Sequence, residues 1–206
     1  MLKLYEMADS GNCYKIRLLL TQLQIPFERI PIDITQGQSR TVDFLAKNPN
    51  GRVPTVELES GEFLAESNAI LYYFSQGTRL FPRDPWEQAQ IMQWMFFEQY
   101  SHEPFIATSR YWISILGKAE EYREQLEHKQ EPGYAALKVM EHHLNSSLNN
   151  QFFVGNCYSI ADICLFAYTH VAHEGGFELR GFPAIQAWIQ RINAQPGYIS
   201  MAQKDS

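Results

Sequence analysis

Leu2-Lys3-Leu4-Tyr5 alternates apolar and polar residues with the period of two of a half-buried strand. From Asn12 to Gln24, by contrast, Ile16, Leu19, Leu20 and Leu23 recur at helical spacing, and Met7-Ala8-Asp9-Ser10-Gly11-Asn12 between them reads as a turn. Pro26 ends that helix. Phe27-Glu28-Arg29-Ile30-Pro31-Ile32 alternates again, with Pro31 confining this second strand to a sheet edge or a bulge. A short helix is expected from Thr41 to Lys47. The turn formers of Asn48-Pro49-Asn50-Gly51-Arg52 lead into a strand over Val53-Leu58, a hairpin turn at Ser60-Gly61 and a partner strand over Glu62-Leu64. Ser67 stands where it would cap a helix carrying Ile70, Leu71, Tyr73 and Phe74.

Past Gly77 the alternation stops. Thr78 to Trp86 holds Pro82 and Pro85 in a polar connection, and helical spacing then runs over Trp86-Leu116, Lys118-Lys129, Tyr134-Leu148, Ile160-His173 and Pro183-Ala194. The pattern predicts an α/β domain over 1–77, a linker over 78–86 and an all-α helical domain over 87–206.

With 45% hydrophobic and 14% aromatic residues among 206, the chain has material for a packed core and is not a disordered one. Lys+Arg 17 against Asp+Glu 23 gives a net charge of -6, which opposes general binding to nucleic acid or anionic membranes. The opening residues lack the pattern of a secretory signal, and no apolar run approaches the roughly 18 residues of a membrane span. Cys13, Cys157 and Cys164 form no CxxC pair and leave an odd count, so a reducing, cytoplasmic setting is expected.

Chemistry has few places to sit. The turn at Ser10-Gly11-Asn12 precedes a helix whose first N–H groups and positive dipole end favour an anion or thiolate; the plainer reading is that Ser10 or Asn12 caps the helix. Val53-Pro54 opens a strand, where a cis bond would leave the Val53 backbone groups for a peptide-like ligand, against an ordinary trans proline. Glu66 and Ser67 begin another helix and suit an amino-acid head group, the acid for the ammonium and the serine with the helix N–H groups for the carboxylate; simple capping by Ser67 competes. Ser159-Ile160-Ala161-Asp162 reads as a structural capping box. Tyr100, Arg110, Tyr111 and Trp112 form an aromatic and basic group that either lines a pocket or packs. His170 and His173 share a helix face without a third ligand, so no metal site is expected. Nucleotide and hydrolase motifs are absent from the sequence.

Taken in order, the Ser-containing turn, NPNGRVPTVEL, AESNAILYYFS and SIADICLFAY resemble a cytosolic glutathione transferase over nearly the whole chain, most closely the bacterial Ser/Thr-type, theta-like or nu-like branches. The resemblance implies a thioredoxin-like first domain that binds glutathione and a helical second domain that supplies much of the co-substrate pocket. It implies Ser10 and Asn12 as the groups that activate sulfur, with Tyr5 as the alternative of a tyrosine branch; a cysteine branch would have its cysteine where Ser10 stands, and Cys13, inside the helix start, is expected to pack. Val53 and Pro54, cis, would pair with the cysteinyl backbone; Glu66 and Ser67 would hold the γ-glutamyl group; Gln38, Arg40 and Arg52 lie where the glycyl carboxylate is met; Arg110 and Tyr111 would line the second-substrate pocket. The implied activity is conjugation of glutathione, as co-substrate with no permanently bound cofactor, to small hydrophobic electrophiles, or reduction of a small disulfide, by a homodimer. A non-catalytic ligand-binding or regulatory protein on the same fold is the alternative.

Overall fold

A computed structural model describes residues 1–146 and 151–202. The chain divides into two compact units, Met1–Gln76 joined by the segment from Pro196 onward, and Gly77–Gln195. The sequence pattern places everything after residue 86 in the helical domain, but the segment from Pro196 onward belongs to the first unit.

In that first unit a four-stranded sheet runs in the order β2-β1-β3-β4, from β1 (Leu2–Glu6), β2 (Phe27–Pro31), β3 (Thr55–Glu57) and β4 (Phe63–Ala65). β1 and β2 are parallel and the other two pairs antiparallel, and β2 lies at the edge, where Pro31 costs no ladder bond. The β1-to-β2 crossover is α1 (Gly11–Gln22), which packs against α3 (Ser67–Ser75). α1 departs from the single apolar face read from its spacing: Cys13, Tyr14, Ile16, Leu18, Leu19 and Leu20 are all buried, and so are Lys15 and Arg17. Part of that cover is the chain's last segment, since the Tyr14 hydroxyl donates to Ile199 O (2.7 Å) and Arg17 Nη2 to Met201 O (3.1 Å). Between β2 and β3 the expected helix shrinks to α2 (Val42–Leu45), preceded by two single 3-10 turns at Ile34–Gln36 and Gln38–Arg40.

The second unit is helical throughout its named elements: α4 (Pro85–Phe97), α5 (Glu103–Arg110), α6 (Arg123–Asn145), α7 (Ile160–Thr169) and α8 (Pro183–Asn193). The single helix expected over Trp86-Leu116 is interrupted by wide π turns at Glu98–His102 and Tyr111–Ile115; Pro104, which has no N–H to donate back, sits in the first turn of α5 after the first of them. Two helices expected over Lys118-Lys129 and Tyr134-Leu148 are instead one, α6, running through Pro132 and Gly133; the predicted end at Leu148 lies outside the described residues. Gly133 is there for space, because a Cβ at that position would overlap the Phe177 ring. α7 is buried on every face and starts with the expected box: Ser159 Oγ accepts from Ala161 N (3.3 Å) and Asp162 Oδ2 from Ser159 N (2.9 Å). Asp162 Oδ1 also takes the N–H groups of Phe153 (3.1 Å) and the Trp188 indole (2.9 Å), tying α7 to α8.

Candidate functional site

Register brings three loops of the first unit to one end of the sheet. β1 pairs Tyr5 with Thr55 and β3 pairs Thr55 with Ala65, so the chain leaving β1, the chain entering β3 and the chain leaving β4 meet at one end of the sheet. The turn after β1 closes through Ser10 N donating to Met7 O (3.0 Å), which returns Ser10 to the same end. The β1–α1 turn, the approach to β3 and the start of α3 therefore converge.

Ser10 is the N-cap of α1. Its Oγ accepts Cys13 N (3.3 Å), so the capping reading holds, and a hydroxyl that accepts still has its own proton to donate. Cys13, inside the first turn, is fully buried, and burial pushes its thiol up to about 12 against the smaller, opposing effect of the Ser10 hydroxyl. Such a thiol is inert at neutral pH. Tyr5 gives its hydroxyl to Glu57 Oε2 (2.6 Å); burial and that carboxylate raise the phenol to about 12. Beneath the turn, Glu6 is buried in ion pairs with Arg17 and Arg29, and Arg17 also donates to Ala8 O (2.9 Å). This network pins the end of β1, the turn and α1 together.

At α3 the simple capping reading fails. Ser67 is the first helical residue rather than the cap, and the cap position is Glu66, whose side chain makes no capping bond. Ser67 Oγ donates instead to Asn12 Oδ1 (3.0 Å) across the two loops. Behind it the wholly buried Lys15 brings Nζ within 3.4 Å of both Ser67 Oγ and Asn68 Oδ1. Glu66 is exposed and held at φ 66, ψ 112, a backbone state that costs an L-residue about 1–3 kcal/mol. Its carboxylate faces Asn50 Nδ2 at 3.4 Å. The result is an exposed acid next to a helix start, the arrangement that receives an ammonium and a carboxylate held on one carbon.

The Val53-Pro54 bond is cis. Val53 is half-buried, and its N–H and C=O make no hydrogen bond among the described residues. The loop before it is shaped by Asn48, a buried side chain that spacing alone left among the turn formers. Its Nδ2 donates to Arg52 O (2.9 Å) and Thr55 Oγ1 (3.0 Å), and its Oδ1 accepts Asn50 N (3.0 Å). Arg40 lies over this loop and donates to Asn50 O (2.9 Å), above Gly51 at φ 62. Arg52 contributes its carbonyl to the Asn48 node and leaves its side chain exposed. Gln38 is also exposed, with Oε1 taken by Asp33 N (2.7 Å).

Within the helical unit, the aromatic and basic group does not assemble as one cluster. Arg110 is buried and its Nε donates to Glu174 Oε2 (2.7 Å), while Trp112 stacks on Tyr122 with ring centroids 4.5 Å apart. Tyr111 is half-buried and Tyr100 is 85% exposed. His170 packs on the Phe166 ring and meets Phe166 O through Nδ1 (2.7 Å); among the described residues no group of three His, Cys, Asp or Glu gathers as a metal set.

Sequence-family comparison matches residues 1–76 to the glutathione S-transferase N-terminal domain and 94–196 to the glutathione S-transferase C-terminal domain. The solved glutathione S-transferase of Pseudomonas fluorescens is 48% identical with TM-score 0.94, over 98% of this chain and 99% of that one. The glutathione S-transferase from Xanthobacter autotrophicus is 41% identical with TM-score 0.94, over 98% and 97%. Disulfide-bond oxidoreductase YfcG of Escherichia coli is 28% identical, over 95% of this chain and 92% of that protein. With two domain models in tandem over a thioredoxin-like unit and a helical unit, the chain belongs to the glutathione S-transferase family.

Proposed function

We propose that this protein is a glutathione transferase that joins the glutathione thiolate to small hydrophobic electrophiles, and that the same thiolate reduces small disulfides. The observation that carries the reading is the Ser67–Asn12 hydrogen bond, which fastens the helix start suited to an amino-acid head group to the turn suited to a thiolate. In this reading Glu66 takes the γ-glutamyl ammonium, and Ser67 with the first α3 N–H groups takes its carboxylate. Val53 pairs its free backbone groups with the cysteinyl unit. Gln38, Arg40 and Arg52 form the exposed, polar side toward the glycyl carboxylate. Ser10 and Asn12 donate to sulfur over the start of α1. Of the two residues assigned to the second-substrate pocket, Arg110 is buried and held by Glu174, so half-buried Tyr111 is the one that meets an electrophile.

The chemistry needs no general base. A free cysteine thiol has pKa near 8.5, and lowering it by about one unit multiplies the thiolate share at pH 7 roughly eightfold. In conjugation the sulfur pair forms the C–S bond and the leaving group departs with its own pair. In disulfide reduction the bound thiolate attacks one sulfur, the other leaves as a thiolate, and a second glutathione resolves the mixed disulfide; two glutathiones are oxidised as one disulfide is reduced. Cys13 favours this second activity being glutathione's own, since its thiol is buried and protonated. Turnover with a chloronitroaromatic and with hydroxyethyl disulfide is expected, and a protein that binds glutathione without turning over either is a binding protein instead.

The working form in this proposal is a cytoplasmic homodimer. None of the three cysteines forms a disulfide, and among the described residues no helix is long and apolar enough to cross a membrane. Trp86, Phe96 and Tyr100 in the helical unit and Tyr72 and Tyr73 in the first are exposed aromatics that a second copy would cover. A monomer in sedimentation at micromolar concentration would remove the dimer.

A further inference from the structure

We propose that Lys15 is a positioning residue of the glutathione site, which through Ser67 fixes Asn12 as a hydrogen-bond donor toward the glutathione sulfur. In this proposal Lys15 is protonated, and an ammonium can only donate. Its Nζ, 3.4 Å from Ser67 Oγ, therefore makes that oxygen an acceptor, and the one proton of Ser67 serves the 3.0 Å contact to Asn12. The Asn12 atom facing Ser67 is then its carbonyl oxygen, and the amide N–H groups lie on the other side of the carboxamide. Without the lysine, Ser67 is free to accept from Asn12, and the carboxamide can turn its oxygen toward an incoming thiolate, which repels it. A second contact from Nζ to Asn68 Oδ1 (3.4 Å) holds the ammonium against the first turn of α3, so the same charge also favours a carboxylate docked there.

The setting suits such a role. Lys15 is fully buried in α1, between Tyr14 and Ile16, and cannot trade its partners for water. Elsewhere in the unit the ion pairs of Glu6 with Arg17 and Arg29 join β1, α1 and β2, Glu66 is exposed at the start of α3, and the Cys13 thiol, two residues before Lys15, is protonated. The lysine thus connects the part of the site that recognises the γ-glutamyl group with the part that ionises the thiol. That connection predicts that a ligand lacking the γ-glutamyl group, cysteinylglycine, gains less from the enzyme in thiol acidity than glutathione does.

The inference rests on the transferase reading, and the two fail separately. If the wild-type protein neither binds glutathione nor lowers its thiol pKa, that reading fails. If it does both, thiolate absorbance against pH is measured for glutathione bound to Lys15→Met, Asn12→Ala and the double variant, with S-methylglutathione binding reporting affinity apart from ionisation. Lys15→Met is expected to raise the bound thiol pKa by about half to one unit, and so lower the thiolate share several-fold at neutral pH. Asn12→Ala should add little to it, because both act on one hydrogen bond. Lys15→Arg should recover part of the shift, since a guanidinium also only donates. Where Lys15→Met does not fold, Ser67→Ala breaks the same link from the other end, and its shift should likewise not add to that of Asn12→Ala. Additive shifts, or a loss of S-methylglutathione affinity with the thiol pKa unmoved, would overturn the role.

Discussion

Four side chains near the start of α1 compete for the sulfur, and their surroundings separate them. Ser10 gives one lone pair to Cys13 N and keeps a proton, whereas Tyr5 spends its proton on Glu57. A hydrogen bond to a charged acceptor contributes about 1.5–3 kcal/mol, so Ser10→Ala should slow conjugation roughly 10- to 150-fold at neutral pH and raise the bound thiol pKa. Tyr5→Phe should leave both within about twofold, because a phenol raised to about 12 is no better an acid for the site than for bulk water. If the pKa of bound glutathione moves for Tyr5→Phe and not for Ser10→Ala, the assignment reverses. Cys13 makes a second test. With its thiol at about 12, less than about one part in a thousand is thiolate at pH 8, so native alkylation should modify exposed Cys157 and spare Cys13. Its labelling should keep rising with pH beyond 10, without a plateau. These identities were legible as candidates from the sequence, but the choice among them was not, since spacing places Tyr5, Ser10, Asn12 and Cys13 all within reach of one turn. Lys15 was not legible at all, because a lysine beside an apolar helix stripe ordinarily faces water, and only the cover on every side of α1 makes it a buried donor.

At the scale of elements, the start of α7 is held by one carboxylate. Asp162 accepts the N–H groups of Ser159, Phe153 and Trp188 as well as the Ser159 hydroxyl, so Asp162→Ala strands three N–H donors besides the hydroxyl, at a cost of at least about 3 kcal/mol in urea unfolding. Burial raises this carboxyl to about 6, against those donors. Between about pH 4 and pH 6 the native state holds a proton that the unfolded chain has released, so its contribution to stability falls as pH rises through that window. The stability gap between wild type and Asp162→Asn should accordingly be widest at about pH 4 and below and narrow as pH rises to about 6; a gap that widens with pH would contradict the raised value. The capping box itself was visible as Ser159 to Asp162, because it is a local four-residue pattern. Its link to Trp188 was not, being a contact between residues 26 apart in the chain. Helix ends in the rest of the unit differ from the sequence pattern for a related reason. Pro132 and Gly133 break an isolated helix, yet tertiary packing around Phe177 keeps α6 continuous.

On the scale of the whole molecule, the return of the last segment to the first unit is a structural tie. Ending the chain at Gln195 removes the carbonyl acceptors of Tyr14 and Arg17, both on a buried helix that carries Ser10, Asn12 and Lys15. The truncated protein should lose about 2 kcal/mol or more of stability, with hydrogen-exchange protection falling in α1 and unchanged in α7. Equal loss in both helices would mean that the segment supports the fold in general. The order of elements, the break near Gly77 and the family motifs came from the sequence by itself, because period, turn chemistry and capping act over a few residues and leave a local mark. Which hydroxyl keeps its proton, where Asn12 finds its partner and why a lysine is buried were decided only by the tertiary structure, because each depends on groups that folding alone brings within a hydrogen bond of one another.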